Sequence, residues 1–140
     1  MLPVTIKVRD VMDRNVIRVA ENATAFEVIK RMLDSEVWSV VIEERQLPVG
    51  VVTERDVLRR AIGKGLNLEK VNASEIMSSP IITIDPDASL GEAMKMMTDR
   101  NVRRLFVLEN GKIIGRITQT ELFQSNLDLM LTLSSMRYTI

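Results

Sequence analysis

The sequence predicts an α/β protein in which two β-α-β-β-α repeats pack about a pseudo-twofold axis into one module. Three observations carry that prediction. First, Asp10–Leu58 laid over Glu75–Phe123 at a fixed shift of 65 positions aligns without a gap, with eleven of the 49 pairs identical, among them Met12/Met77, Gly50/Gly115 and Thr53/Thr118. Second, each copy alternates short apolar runs with segments of helical apolar spacing. Third, a unit of about 60 residues buries only about 60% of its unfolded surface and is marginal alone, so two copies are expected to share a core. At 140 residues and 46% hydrophobic content the chain is large enough for one good core and too small for two independent domains. Function is then expected between the halves.

The elements follow in order. Val16–Val19 and Ile81–Ile84 read as first strands. Thr24-Ala-Phe-Glu27 and Ser89-Leu-Gly-Glu92 have the capping-box spacing, in which a hydroxyl and a carboxylate satisfy orphan amides at a helix start. Ala25, Val28, Ile29, Met32 and Leu33 then recur at helical spacing, as do Leu90, Ala93, Met94 and Met97. The dense runs Val37–Ile42 and Val102–Leu108 are predicted central strands, parallel to the first because a helix crosses over between them.

A hairpin comes next in each copy. Asn110-Gly111 is a strong two-residue turn signal, and Gln46-Leu-Pro48 reads as a looser equivalent. Third strands at Val49–Val52 and Ile113–Ile117 run into helices beginning near Thr53 and Thr118. The first such helix is expected to bury Val57, Leu58, Ala61 and Ile62 and to stop at Gly63-Lys-Gly65. The last is longer, and Leu122, Phe123, Leu127, Leu129, Met130, Leu131, Leu133 and Met136 offer more apolar surface than one stripe can bury. Either a second copy covers it or the tail folds back. The boundaries are repeat 1 at 8–62, a linker at 63–72, repeat 2 at 73–126 and a helical extension at 127–140.

Composition closes off much chemistry. With no cysteine and no histidine, the chain lacks disulfides, thiolate nucleophiles, the commonest metal ligand and the commonest general base. Nineteen basic and nineteen acidic residues are interspersed, so no electrostatic footprint for nucleic acid is visible. No apolar run approaches the roughly 20 residues that span a bilayer, and Met1–Val11 lacks a signal-peptide core. No membrane association and a cytoplasmic location are expected.

Gly50-Val-Val-Thr-Glu-Arg-Asp56 and its copy Gly115-Arg-Ile-Thr-Gln-Thr-Glu121 are each a strand ending in threonine that turns into a helix with an acid in its first turn. Such a start suits a phosphate, and taken alone it is the ordinary signature of capping. Asn101-Val-Arg-Arg104 opens the second central strand with adjacent arginines, whose forks match phosphate oxygens but also suit a solvated strand edge. Trp38, the only tryptophan, reads as a stacking platform or as packing. The nine methionines read mostly as core filler.

Together with the leaders Asp10-Val-Met12 and Glu75-Ile-Met77, the strand start Pro80-Ile-Ile-Thr83 and the run Arg103-Arg-Leu-Phe-Val107, these motifs resemble a tandem pair of CBS domains, the repeat named after cystathionine beta-synthase. The resemblance covers about residues 8–125. It implies adenosine-containing ligands, such as AMP, ADP, ATP or S-adenosylmethionine, held in clefts between paired repeats. It further implies that Asp56 accepts the ribose hydroxyls and Thr53 meets phosphate. Val37, Trp38 and Ser39 would flank the base, with Val51, Val16 and Ile17 as apolar walls. Arg103 and Arg104 would reach the phosphate, with Arg55 and Arg116 as further cations. The symmetry-related site would use Thr118 and Glu121, with Trp38-Ser39 in place of the arginines, and is expected to be weak or empty.

The resulting expectation is a regulatory module without catalysis that senses an adenine nucleotide. AMP is preferred over ADP or ATP because two or three cations suit one phosphate and no P-loop is apparent. No metal or cofactor is expected. A homodimer and an unidentified regulated protein are the expected partners. The alternative is a dimerisation scaffold with no physiological ligand.

Overall fold

A computed structural model describes residues 5–135, so Met136 and the end of the helical extension lie outside the described residues. The chain divides into two compact units, one formed by Val16–Ile82 and the other by Met1–Asn15 together with Thr83–Ile140. Each holds a three-stranded mixed sheet.

In the Val16–Ile82 unit, β1 (Ile17–Ala20) runs parallel to β2 (Ser39–Glu44), which pairs antiparallel with β3 (Leu47–Thr53). Helix α2 (Ala25–Ser35) connects the parallel strands, as expected for a crossover. Thr24 starts it by accepting from the Glu27 amide, and Glu36 ends it in the left-handed conformation. Helix α3 begins at Glu54–Asp56 and continues as π-helical turns through Val57–Ile62. Val40, Ile42 and Val52 meet Ala25, Val28 and Met32 of α2 and Val57 and Ala61 of α3 in one core. Leu58 and Ile62, expected inside, are 60% and 52% exposed, so only the Val57/Ala61 edge of that helix faces the core.

The other unit repeats the plan. Strand β4 (Thr83–Ile84) is parallel to β5 (Arg104–Glu109), which pairs antiparallel with β6 (Lys112–Thr118). Helix α5 (Leu90–Arg100) has the complete capping box, with the Ser89 hydroxyl accepting from the Glu92 amide and the Glu92 carboxylate from the Ser89 amide. It ends at Asn101, also left-handed and the counterpart of Glu36. Leu33 of α2 and Met94 of α5, expected on the buried stripes, are exposed. Helix α6 (Gln119–Ser135) completes the unit.

The hairpins differ from expectation in one copy. Asn110 and Gly111 both take positive φ, the two-residue turn foreseen. In the first copy the turn is Arg45-Gln46, also at positive φ, with Leu47 and Pro48 already paired to Glu44 and Glu43. Proline is tolerated there because its position lies beside a register shift in the ladder.

Two four-residue helices, α1 (Val8–Val11) and α4 (Ala73–Ile76), open the leaders and escaped the sequence reading. Asp10 and Glu75 cap them by accepting from the amides of Lys7 and Asn72. Each leader belongs to the unit built on the other repeat's strands. Ser78 exchanges backbone hydrogen bonds of 2.8 and 2.9 Å with Val51 of β3, and Asp13 exchanges bonds of 2.8 and 2.9 Å with Arg116 of β6. Both leaders therefore cover a sheet edge. Arg9 secures the first leader through Asp87 at 3.0 Å and Glu109 at 2.7 Å. That hydrogen bond, reinforced by the charges of Arg9 and Lys7, holds the Asp87 carboxyl below its ordinary value. Its contribution is therefore present above the unfolded carboxyl pKa and is lost as pH falls through the lowered one.

Candidate functional site

The strand-to-helix turn after β3 gathers most of the residues singled out in the first repeat. Thr53 ends β3 with extended backbone, and Asp56 sits three residues on, where its side chain returns to the helix start. Asp56 Oδ2 accepts from the Thr53 amide at 2.9 Å and from the Thr53 hydroxyl at 3.2 Å, while the Asp56 amide donates to that hydroxyl at 3.3 Å. Asp56 Oδ1 accepts from Ser78 Oγ at 2.8 Å and lies 3.8 Å from Arg60 Nε. Capping thus occurs as one of the two sequence readings held. Asp56 is only 7% exposed, which is tolerated because each carboxylate oxygen has a donor.

Ser39 pairs directly with Thr53 across the β2–β3 ladder, which puts both side chains on one face of the sheet. It is 2% exposed, and its hydroxyl has no hydrogen-bond partner. An orphaned buried hydroxyl costs on the order of 1–3 kcal/mol. Val37 and Val51 are buried nearby in the same unit, and Ile17 belongs to its core. Trp38 is 45% exposed, with its carbonyl accepting from the Glu54 amide at 3.3 Å. Val16 is half-buried and Arg55 is exposed.

The second repeat carries Arg103, Arg104 and Arg116. Arg103 is exposed, and its carbonyl accepts from the Gln119 amide. Arg104 is half-buried at the first position of β5, opposite Thr118. Glu121 caps as Asp56 does, accepting from the Thr118 amide at 2.9 Å and closely from its hydroxyl. Arg116 is committed locally: it donates to Asp13 Oδ2 at 2.8 Å and to the Asn15 carbonyl at 3.3 Å. Asp56 and the Arg103-Arg104 pair therefore belong to different units.

Two residues of this site were missed from sequence. Ser78 lies in a Ser-Ser-Pro stretch that reads as a turn, and Arg60 in a helix whose charged face reads as solvated. The duplication holds a clue to the first, because Ser78 aligns with Asp13, whose carboxylate accepts from Arg116.

The model of the CBS domain family matches residues 8–63 and 73–128, and the chain belongs to that family as a tandem pair. An uncharacterised protein of Methanopyrus kandleri is 38% identical over 122 residues, covering 86% of this chain and 62% of its own length. A mitochondrial CBS domain-containing protein of Arabidopsis thaliana is 30% identical over 100 residues, covering 68% of this chain and 48% of its own. The chain thus spans less than two thirds of either relative. Among solved structures, a CBS-domain protein of Burkholderia ambifaria superposes with a TM-score of 0.75 at 28% identity, covering 91% of this chain and 89% of its own. An uncharacterised conserved protein of Pyrococcus horikoshii reaches 0.80 at 24% identity, with 99% of each chain covered. No helix among the described residues is long and apolar enough to cross a membrane.

Proposed function

We propose that this chain is a regulatory module without catalysis of its own, binding an adenine nucleotide, AMP foremost, and reporting nucleotide state to a partner protein. Asp56 accepts the ribose hydroxyls, the segment Val37–Ser39 flanks the base, and Thr53 together with Arg103 and Arg104 of the second repeat meets the phosphate. One observation supports this above others: among the described residues, the only buried polar or charged side chains are Ser39 and Asp56, and both flank Thr53. Elsewhere the buried residues are apolar, so polarity is concentrated where a polar ligand would be read.

The second site is the weaker one in this reading. Glu121 is one methylene longer than Asp56 and caps its own helix, and Trp38-Ser39 stand where Arg103-Arg104 stand in the first. Bound ligand acts by linkage, stabilising the state it prefers by about 2.7 kcal/mol at a hundredfold excess over Kd. The chain also pairs with a second copy through the exposed apolar residues of α6.

Calorimetric titration with AMP and adenosine tests the reading. One strong site per chain is expected, lost for both ligands in Asp56→Ala, whereas Arg104→Ala weakens AMP far more than adenosine. A flat AMP trace, by calorimetry and by Trp38 fluorescence, would favour a dimerisation scaffold instead.

A further inference from the structure

We infer that Ser78 is an internal competitor for the ribose position, its hydroxyl holding the carboxylate oxygen of Asp56 that a ligand hydroxyl must take. The inference rests on the reading of Asp56 as ribose acceptor and adds what sets that site's affinity.

The arithmetic of lone pairs leads there. A carboxylate offers about four acceptor positions. Oδ2 is occupied twice by Thr53, through its amide and its hydroxyl. Those bonds build the helix start and cannot be given up without uncapping α3. Oδ1 is occupied by Ser78 Oγ at 2.8 Å, with Arg60 Nε further off at 3.8 Å. Oδ1 thus keeps one acceptor position beside the serine, and the two hydroxyls of a ribose diol cannot both bond this oxygen until the Ser78 hydroxyl gives way.

Displacement is mechanically cheap. The Ser78 backbone is fixed on both sides by Val51, and Arg60 donates to the neighbouring Met77 carbonyl at 2.6 Å. Only the Ser78 side chain has to rotate, while the leader stays docked. The competition is confined to the first repeat, since the counterpart Asp13 has no hydroxyl to donate and is held by Arg116.

The test is the affinity of Ser78→Ala for AMP, adenosine and 2′,3′-dideoxyadenosine beside the unmodified protein. AMP and adenosine are expected to bind about tenfold more tightly to the variant, the worth of one hydrogen bond to a charged acceptor. Dideoxyadenosine, with no hydroxyl to replace that of serine, gains nothing. Ser78→Cys, nearly isosteric and a weak donor, shifts in the same direction and covers the case of an unfolded alanine variant. AMP binding that is unchanged or weaker in both variants overturns the inference and leaves the proposed function standing. An equal gain for dideoxyadenosine also overturns it, because the effect would be one of space. Binding of AMP to Ser78→Ala alone supports it, and binding by none of the proteins removes the nucleotide reading and this inference together.

Discussion

At Gly50 a hydrogen stands where any Cβ would fall 2.4 Å from Met77 Sδ and 3.0 Å from the Ser78 carbonyl. A Cβ at its counterpart Gly115 would fall 2.6 Å from Met12 Sδ and 3.1 Å from the Asp13 carbonyl. Two of the identities that revealed the duplication, Met12/Met77 and Gly50/Gly115, are thus the two sides of one contact made twice. The methionine tip can yield, but the carbonyl is pinned by its pairing to Val51 or Arg116. Gly50→Ala is therefore expected to destabilise by about 1–3 kcal/mol, as overpacking does. Chemical denaturation would measure it, and Met77→Ala in the same chain should recover part of the loss. Equal stability of Gly50→Ala and the parent would show that the leader does not depend on this close approach.

Between elements, periodicity and capping made both β-α-β-β-α orders legible, including the parallel first pair and the antiparallel hairpin. What escaped had weak local signals. Helices α1 and α4 are single turns, too short to display an apolar period. The Arg45-Gln46 turn uses residues with no preference for positive φ, so its chemistry pointed one residue too late. At the site, Thr53 and Asp56 were visible as a motif, whereas the Ser78 bond joins residues 22 positions apart and needs the fold to be seen. Helix α6 answers as its composition suggested: Phe123, Leu129, Met130, Leu131 and Leu133 are all exposed. Replacing Leu129 and Leu133 with glutamate is expected to convert a dimer to a monomer by light scattering, with little change in the unfolding midpoint. A monomeric parent would refute self-pairing through this helix.

For the molecule as a whole, the sequence repeat and the compact unit are different divisions of the chain. Residues 63–72, read as a linker, lie within the first unit, and Leu68 and Val71 pack on its core. Beyond them, Ala73 and Ile76 of α4 are fully buried in that same core. Cutting after Gly65 would give fragments 1–65 and 66–140, each without the leader its own sheet needs. Loss of Ile76 alone removes about 1.5–3 kcal/mol of burial, a large share of a small unit's stability. Neither fragment is expected to unfold cooperatively by circular dichroism, while an equimolar mixture should regain helix content and a single transition. A fragment that folds alone would mean that the leaders are dispensable.

The placement of Val8–Asp13 against Pro86, Ala88 and Arg116 also sets a timetable for synthesis. Translation proceeds at roughly 5–20 residues per second, so once synthesised this segment waits about 5–20 s before Arg116 exists to receive it. During that interval Val8 and Met12, buried at the end, have no final resting place, and a chaperone or a neighbouring nascent chain could occupy them first.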